Sequence, residues 1–258
     1  MTLAVITGAS TGIGHELARC AAEDGCELIL CADEPAIETV AEEMGRLGVP
    51  ATACKADLST EEGVETLWRL IGDREVDYLM ANAGRGLGHA FLDQQETDIE
   101  AVIGLNVTGT TLLLHRAAKA MQARGQGRIL ITGSIAGLMP GSHHAVYNAT
   151  KAYLDTLSWG IREELSDSGV TVTCLMPGPT DTDFFRRADM LDTPVGQGKK
   201  DDAGMVAREG YRAMKRAASG VTTGFMNKVQ ATLSGLVPDS VLAAMHRRMA
   251  EPQEKRHD

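Results

Sequence analysis

The sequence predicts an α/β fold: a single domain on a doubly wound parallel β-sheet, with a helical C-terminal tail. Two observations lead there. Short apolar runs recur along the chain and alternate with helix-length amphipathic stretches, the pattern of βαβ units. Runs such as ELILC and RILIT are apolar at successive positions, so both faces of those strands are to be buried, as in a parallel sheet covered by helices on both sides. The 258 residues suit one such domain and can bury about 75% of the unfolded surface.

The elements follow in order. Leu3–Thr7 is the first expected strand, with a helix over Ile13–Asp24. Glu27–Ala32 is the second, with a helix over Pro35–Leu47. Pro50–Ala56, Asp77–Ala81, Arg128–Thr132 and Val170–Met176 are further strands. Long helical patterns cover Thr97–Arg124 and His144–Ser168. From Pro177 to Asp202 the chain is loop-like, with Pro177, Gly178, Pro179, Pro194, Gly196 and Gly198. A loop that long is uncommon unless functional, so residues 178–203 are assigned to a substrate loop. Residues 221–250 are expected to form the helical tail.

Composition narrows the function. The formal net charge is −10, which argues against nucleic acid or an anionic membrane as partner. No apolar run approaches the ~18 residues of a membrane span. No basic leader opens the chain, and the five cysteines, Cys20, Cys26, Cys31, Cys54 and Cys174, form no C-x-x-C pair. Reduced thiols in a cytoplasmic protein are expected.

The stretch TGASTGIG, residues 7–14, follows the first strand and opens the first helix. A helix N-terminus presents free N–H groups and partial positive charge, which favour phosphate. Gly8, Gly12 and Gly14 permit a tight turn, close approach of a pyrophosphate and close helix–strand packing. Together with Ser10, Thr11 and Ile13 they make a candidate phosphate loop of a Rossmann-type site. The spacing is G-x-x-x-G-x-G, and a plain strand-to-helix turn is the alternative. Asp33 lies 19 residues after Gly14. An acid at about that distance holds adenosine ribose hydroxyls and repels a 2′-phosphate, favouring NAD over NADP. Capping the helix near Pro35 is its other use.

Tyr147 and Lys151 stand in YNATK, four apart on an expected helix and so on one face. Alone, they also fit a solvated face. Ser134 follows the strand RILIT, and Asn82-Ala83-Gly84 follows DYLMA. Ligands bind beyond the C-terminal strand ends of open parallel sheets, so the glycine turn, Asp33, Asn82 and Ser134 are expected on one edge.

On these residues the sequence resembles the short-chain dehydrogenase/reductase family. The matching motifs are TGASTGIG, Ala56-Asp57, Asn82-Ala83-Gly84, Asn106 in LNVTG, Ser134 in ITGS, YNATK and PGPTDT at 177–182. They occur in the family's order over roughly residues 1–185. The resemblance implies a catalytic tetrad of Asn106, Ser134, Tyr147 and Lys151. It implies cofactor contacts from Asp57 and Leu58 near the adenine and from Asn82, Ala83 and Gly84. It also implies contacts from Tyr147 and Lys151 at the nicotinamide ribose, and from Pro177, Gly178, Thr180 and Thr182 near the carboxamide. The second strand ends Cys31-Ala32-Asp33-Glu34, without the arginine that selects NADP in many relatives. NAD is the first choice and NADP the alternative.

The implied reaction moves hydride between a nicotinamide cofactor and a secondary alcohol or its ketone. A tyrosine, with an ordinary pKa of about 10, is an acid at neutral pH. An ammonium within about 4–6 Å favours its phenolate, which lets one group serve both directions. Ser134 can hydrogen-bond the developing oxyanion. The resemblance gives Asn106 a water linking Lys151 to solvent; a buried, satisfied amide is the alternative. His143, His144, His89, Phe91, Met139, Phe184 and Phe185 are candidate pocket residues. No metal is expected. The tail's apolar positions, Phe225, Met226, Val229, Leu233, Leu236, Leu242, Met245 and Met249, are expected to pack on the domain or on a second subunit, or to cover a substrate. A homodimer or homotetramer acting on a small alcohol or carbonyl compound is expected. The rival readings are a catalytically silent dinucleotide-binding sensor or scaffold, and a nucleotide-sugar epimerase, which would need a longer C-terminal part.

Overall fold

Val5 is paired with Ile29 on one side and Leu79 on the other, which puts the first strand in the middle of the sheet. The computed structural model describes residues 1–224 and 237–252. Its strands are β1 Leu3–Thr7, β2 Glu27–Ala32, β3 Ala51–Lys55, β4 Tyr78–Ala81, β5 Gly127–Thr132, β6 Val170–Met176 and β7 Gly220–Thr222. All pairings are parallel, in the order β3-β2-β1-β4-β5-β6-β7. The order reverses between β1 and β4, the switch point where such sheets open a crevice.

Two cores confirm the double winding. On one face Ala4, Ile6, Leu28 and Leu30 meet Leu17 and Ala18 of α1 (Gly12–Glu23), Ile37 and Val40 of α2 (Ala36–Gly45), and Val206 and Ala207 of a helix at Ala203–Lys215. On the other, Leu3, Val5, Ile29 and Cys31 meet α3 (Glu61–Ile71) through Val64 and Leu67. Leu113 and Leu154, from helices at Thr110–Arg124 and Ala145–Glu164, complete that core. Alternate residues of β1 and β2 thus serve opposite faces, and both sets are apolar.

The expected helix over Thr97–Arg124 is divided. α4 (Glu96–Ile103) and α5 (Thr110–Arg124) flank a π-helical turn at Gly104–Gly109. The turn passes close to the chain after β3: a Cβ on Gly109 would lie 1.8 Å from the Leu58 carbonyl oxygen. The Thr110 hydroxyl donates to the Leu105 carbonyl at 2.9 Å across the widened turn. α6 follows at Ala145–Glu164.

The stretch expected as a loop from Pro177 holds α7 (Phe184–Arg187) and α8 (Pro194–Gln197), each a single turn. Its ends are tied: Asp181 N–H donates to Asp201 O, and Asp201 N–H to Pro179 O, both at 2.8 Å. α9 is Ala203–Lys215. The expected tail of 221–250 starts differently. Val221 and Thr222 belong to edge strand β7, paired with Leu175 and Met176; three residues are too few for a period to show. Phe225, Met226, Val229, Leu233 and Leu236 lie outside the described residues. α10 (Asp239–Ala250) is helical and lies on the domain: its Ala250 meets Phe185, Ala188 and Met190 of the loop. All five cysteines are free thiols.

The Gly109 approach yields a prediction. Gly109→Ala should lower stability by about 1–3 kcal/mol through overpacking, visible as a reduced Tm; an unchanged Tm contradicts the close approach.

Candidate active site

Because every strand runs the same way, β1, β2, β4, β5 and β6 all end on one edge. A cavity of about 440 Å³ lies there. It is lined by Gly8, Ser10, Thr11, Gly12 and Ile13 at one end and by Ser134, Tyr147 and Lys151 at the other. Asp33, Asp57, Leu58, Asn82, Ala83, Gly84, Pro177, Gly178, Thr180 and Thr182 complete the expected set on its walls.

Gly8 (φ 63°) and Gly12 (φ 58°) take left-handed backbone that side chains rarely adopt. Thr11 stands at the N-cap of α1 without a side-chain cap, and no acidic residue occupies the first turn. The helix start therefore faces the cavity with its N–H groups unclaimed by side chains, which suits phosphate. Gly14, expected among the cofactor contacts, is not on the cavity. A Cβ there would lie 2.0 Å from the Gly8 carbonyl oxygen, so this glycine closes the turn on itself. Asn82 locks the turn to the sheet. Its Nδ2 donates to Thr7 O at 3.2 Å and Gly8 O at 3.4 Å, and its Oδ1 accepts from the Thr132 hydroxyl at 3.1 Å. The Thr7 hydroxyl accepts from the backbone N–H groups of Asn82 and Ala83, each at 3.0 Å.

Asp33 is exposed, and no side chain caps α2, whose N-cap is Pro35. The capping alternative for Asp33 is thus not taken up. Its neighbour Glu34 is paired with Arg187 of α7 at 2.7 Å, a contact the sequence did not suggest because the two lie far apart in the chain. Asp57 accepts the Ser59 N–H at 2.9 Å and is otherwise exposed.

At the other end, Tyr147 and Lys151 are 8% and 4% exposed. The Lys151 ammonium lies 5.8 Å from the Tyr147 ring centre and donates to the Thr132 carbonyl at 2.7 Å. Burial pushes the lysine down to about 8, opposed by the charge of Asp155 and then by Cys174. Burial also pushes the Tyr147 phenol above its ordinary value, against a hydrogen bond with Ser134. Desolvation dominates, so the phenol is held protonated and is not the phenolate that an adjacent ammonium would favour. The Ser134 hydroxyl donates to Pro177 O at 3.4 Å and accepts the Ala136 N–H at 3.1 Å.

Asn106 sits in the π turn and is fully buried, but it is not on the cavity. Its Oδ1 accepts the Arg85 N–H at 2.9 Å, and its Nδ2 donates to Arg85 O at 2.9 Å and the Thr150 hydroxyl at 3.0 Å. Both amide hydrogens are used by protein, and they fix the loop after Gly84 to α6.

Met139, His144, Phe184 and Phe185 line the cavity, as expected; His89, Phe91 and His143 do not. His89 pairs with Asp189 at 2.9 Å, and Phe91 is 58% exposed. His144 is stacked on Tyr147 with ring centres 4.4 Å apart. Burial, with His246 beside it, pushes His144 down to about 3, so it is neutral. His246 of α10, which the sequence did not single out, lines the cavity with Met249, one of the tail positions expected to pack on the domain or to cover a substrate. The His246 ring hydrogen-bonds Ser142 O at 2.9 Å, and the Ser142 hydroxyl donates to Ala243 O at 3.0 Å, pinning α10 beside the tyrosine.

The donor set fits a dinucleotide: an uncapped helix start, an exposed carboxylate beyond β2, and a phenol beside an ammonium. Fold and site together define an oxidoreductase built around a nicotinamide cofactor. The model of the short chain dehydrogenase family matches residues 2–190, and the chain belongs to that family, whose members use NAD(P). Over 208 residues it is 28% identical to an uncharacterized oxidoreductase of Staphylococcus epidermidis, covering 80% of this chain and 87% of that one. A short-chain dehydrogenase of Sphingobium yanoikuyae, solved in complex with NADPH, matches with TM-score 0.82 and 28% identity over 92% of this chain and 94% of that one. The bulky-bulky ketone specific alcohol dehydrogenase of Comamonas testosteroni matches with TM-score 0.77 and 26% identity over 100% and 99%.

Asn82→Ala removes the side-chain links to β1 and β5. It should destabilise the fold by about 1–3 kcal/mol and weaken NADH binding, measured by fluorescence titration; parent-like affinity would show that the turn holds its shape unaided.

Proposed function

We propose that this protein transfers hydride between a nicotinamide cofactor and a secondary alcohol or its ketone, with NAD preferred over NADP. The observation that carries the reading is the buried Tyr147–Lys151 pair, opening onto the same cavity as the 8–14 turn. The α1 N-terminus, with Gly8, Ser10, Thr11, Gly12 and Ile13, would hold the pyrophosphate. Asp33 would hold the adenosine ribose, with Asp57 and Leu58 by the adenine. Asn82, Ala83, Gly84, Lys151, Pro177, Gly178, Thr180 and Thr182 would hold the nicotinamide half. When bound, the nicotinamide supplies or accepts the hydride.

In the reducing direction the Tyr147 phenol, kept protonated by its buried setting, donates its proton to the carbonyl oxygen as negative charge grows there. Ser134 turns its hydroxyl from Pro177 O to that oxygen. The Lys151 ammonium stabilises the phenolate left behind. In the oxidising direction the same phenolate takes the alcohol proton. Groups arranged in this way typically contribute about 10²–10⁴-fold. Asn106 acts by holding Arg85 and Thr150 in place. On the substrate side the walls are Met139, Phe184, Phe185 and Met190, with neutral His144 and His246, which suits a ketone with an apolar body.

Exposed Ile103, Tyr153 and Trp159 on α4 and α6 support a homodimer or homotetramer formed through these helices. No helix among the described residues is long and apolar enough to cross a membrane. We place the protein in the cytoplasm. A silent sensor would have no use for a buried phenol paired with an ammonium. NADH or NADPH mixed with a ketone panel separates the two, because a sensor binds cofactor without loss of absorbance at 340 nm.

Four outcomes test the roles. Tyr147→Phe should lower turnover by about 10²–10⁴-fold and leave the NADH Kd nearly unchanged, whereas Lys151→Ala should lose both. Asp33→Arg should move the NADPH/NADH ratio of kcat/KM upward by about tenfold or more, since it reverses the charge at the ribose; an unchanged ratio removes Asp33 from cofactor choice. As pH rises through about 8 the Lys151 ammonium is lost, so the reduction rate should fall along that limb.

A further inference from the structure

α6 carries a third buried ionisable group, which the reaction above does not use. Asp155 stands one turn beyond Lys151, as Lys151 stands one turn beyond Tyr147, so phenol, ammonium and carboxyl share one helix face. Asp155 is 6% exposed. Its Oδ1 accepts the Ser134 backbone N–H at 3.3 Å and the Cys174 thiol at 3.4 Å. Its Oδ2 is buried with no hydrogen-bond partner. The chain leaves room for this carboxyl. A Cβ on Gly133 would lie 1.7 Å from Oδ1, and one on Gly137 2.3 Å from Oδ2.

Bracketing Ser134 against α6 needs only an acceptor, which an amide oxygen would supply. A carboxylate costs more to bury, and leaving one oxygen unsatisfied adds to that cost. The group that gains from the charge is the lysine. Burial works against its ammonium, and the charge of Asp155 works most strongly for it. Asp155 also raises the Tyr147 phenol. The carboxyl itself is pushed up to about 6 by burial, with Lys151 pulling the other way. The remaining ionisable group against it is Cys174 on β6, pushed up to about 12 and so a thiol donor. The corner after β5, residues 133–138, presents only glycine, serine and apolar side chains.

We propose that Asp155 is a positioning residue of this site: it fixes the Ser134 corner to α6, and its negative charge keeps the ammonium on Lys151 and the proton on Tyr147. The proposal rests on the roles given above to Tyr147 and Lys151.

Asp155→Asn tests it, because the amide oxygen keeps the Ser134 bond while the charge is lost and an NH2 group takes the place of the unpartnered Oδ2. The readout is the carbon-13 NMR titration of the Lys151 Cε signal, assigned with Lys151→Arg, beside the pH profile of ketone reduction. The variant should keep its Tm and its NADH affinity at neutral pH or below. Its Lys151 midpoint should fall by about one pH unit from the parent value, and the alkaline limb of kcat should move the same way. In the parent, the Lys151 signal should also shift as Asp155 takes up its proton near pH 6. This arm needs no variant and stands if Asp155→Asn does not fold. A folded variant with the parent midpoint, or a parent signal indifferent to the step near 6, overturns the proposal. If the parent protein turns over no ketone or alcohol, the functional reading fails while the NMR midpoints still decide the role of Asp155.

Discussion

Keeping a cation out of water beside a phenol is the constraint on which the rest of this site depends. Lys151 is buried at the C-terminal edge of the sheet, held by the Thr132 carbonyl at 2.7 Å. An ammonium in that position is tolerated only with compensating groups around it. β5 supplies a carbonyl, α6 supplies a phenol one turn before and a carboxyl one turn after, and β6 supplies the thiol that bonds the carboxyl. The parallel register of β5 with β6, running from Gly127↔Val170 to Thr132↔Leu175, brings the strand ends level and lets α6 lie across both.

The other end of the cleft answers to a different physics. There the backbone does the work. Two left-handed glycines turn the chain, a third allows it to close on itself, and Asn82 ties the turn to β1 and β5. The loop after β6 then comes down on the turn: a Cβ on Gly12 would lie 2.7 Å from the Thr182 methyl. The Glu34–Arg187 pair carries that contact on to the end of β2. The segment 178–203 thus touches the glycine-turn end as well as the tyrosine end, and α10 leans on it through Ala250.

Much of this was legible in the sequence, for physical reasons. Strands such as ELILCA and GRILIT carry apolar runs, Leu28–Ala32 and Ile129–Ile131, because both their faces are buried there, so their boundaries showed to within a residue. Residues at strand ends fell on one edge because parallel strands must all point the same way. What escaped depends on contacts distant in sequence. The π turn at Gly104–Gly109 follows from the closeness of Leu58, which no local period records. β7 is three residues long and is defined only by its pairing to β6. The bonds of Asn106 to Arg85 and Thr150 join residues 21 and 44 positions away, which no local period records. His246 reaches the pocket only because Ser142 pins α10 there. Asp155 has the same i+4 spacing that singled out the tyrosine and lysine, and carrying the pattern one turn further would have found it.

The central claim is that the glycine-turn end and the phenol end serve one reaction in one cleft. Isotope transfer tests it most directly. The protein is incubated with NADH carrying deuterium at both C4 positions and a panel of uncharged aryl and alicyclic ketones, and the alcohols are examined by mass spectrometry. The account predicts an alcohol carrying one deuterium on its carbinol carbon. Saturable NADH binding with no deuterium in any alcohol across the panel would contradict it.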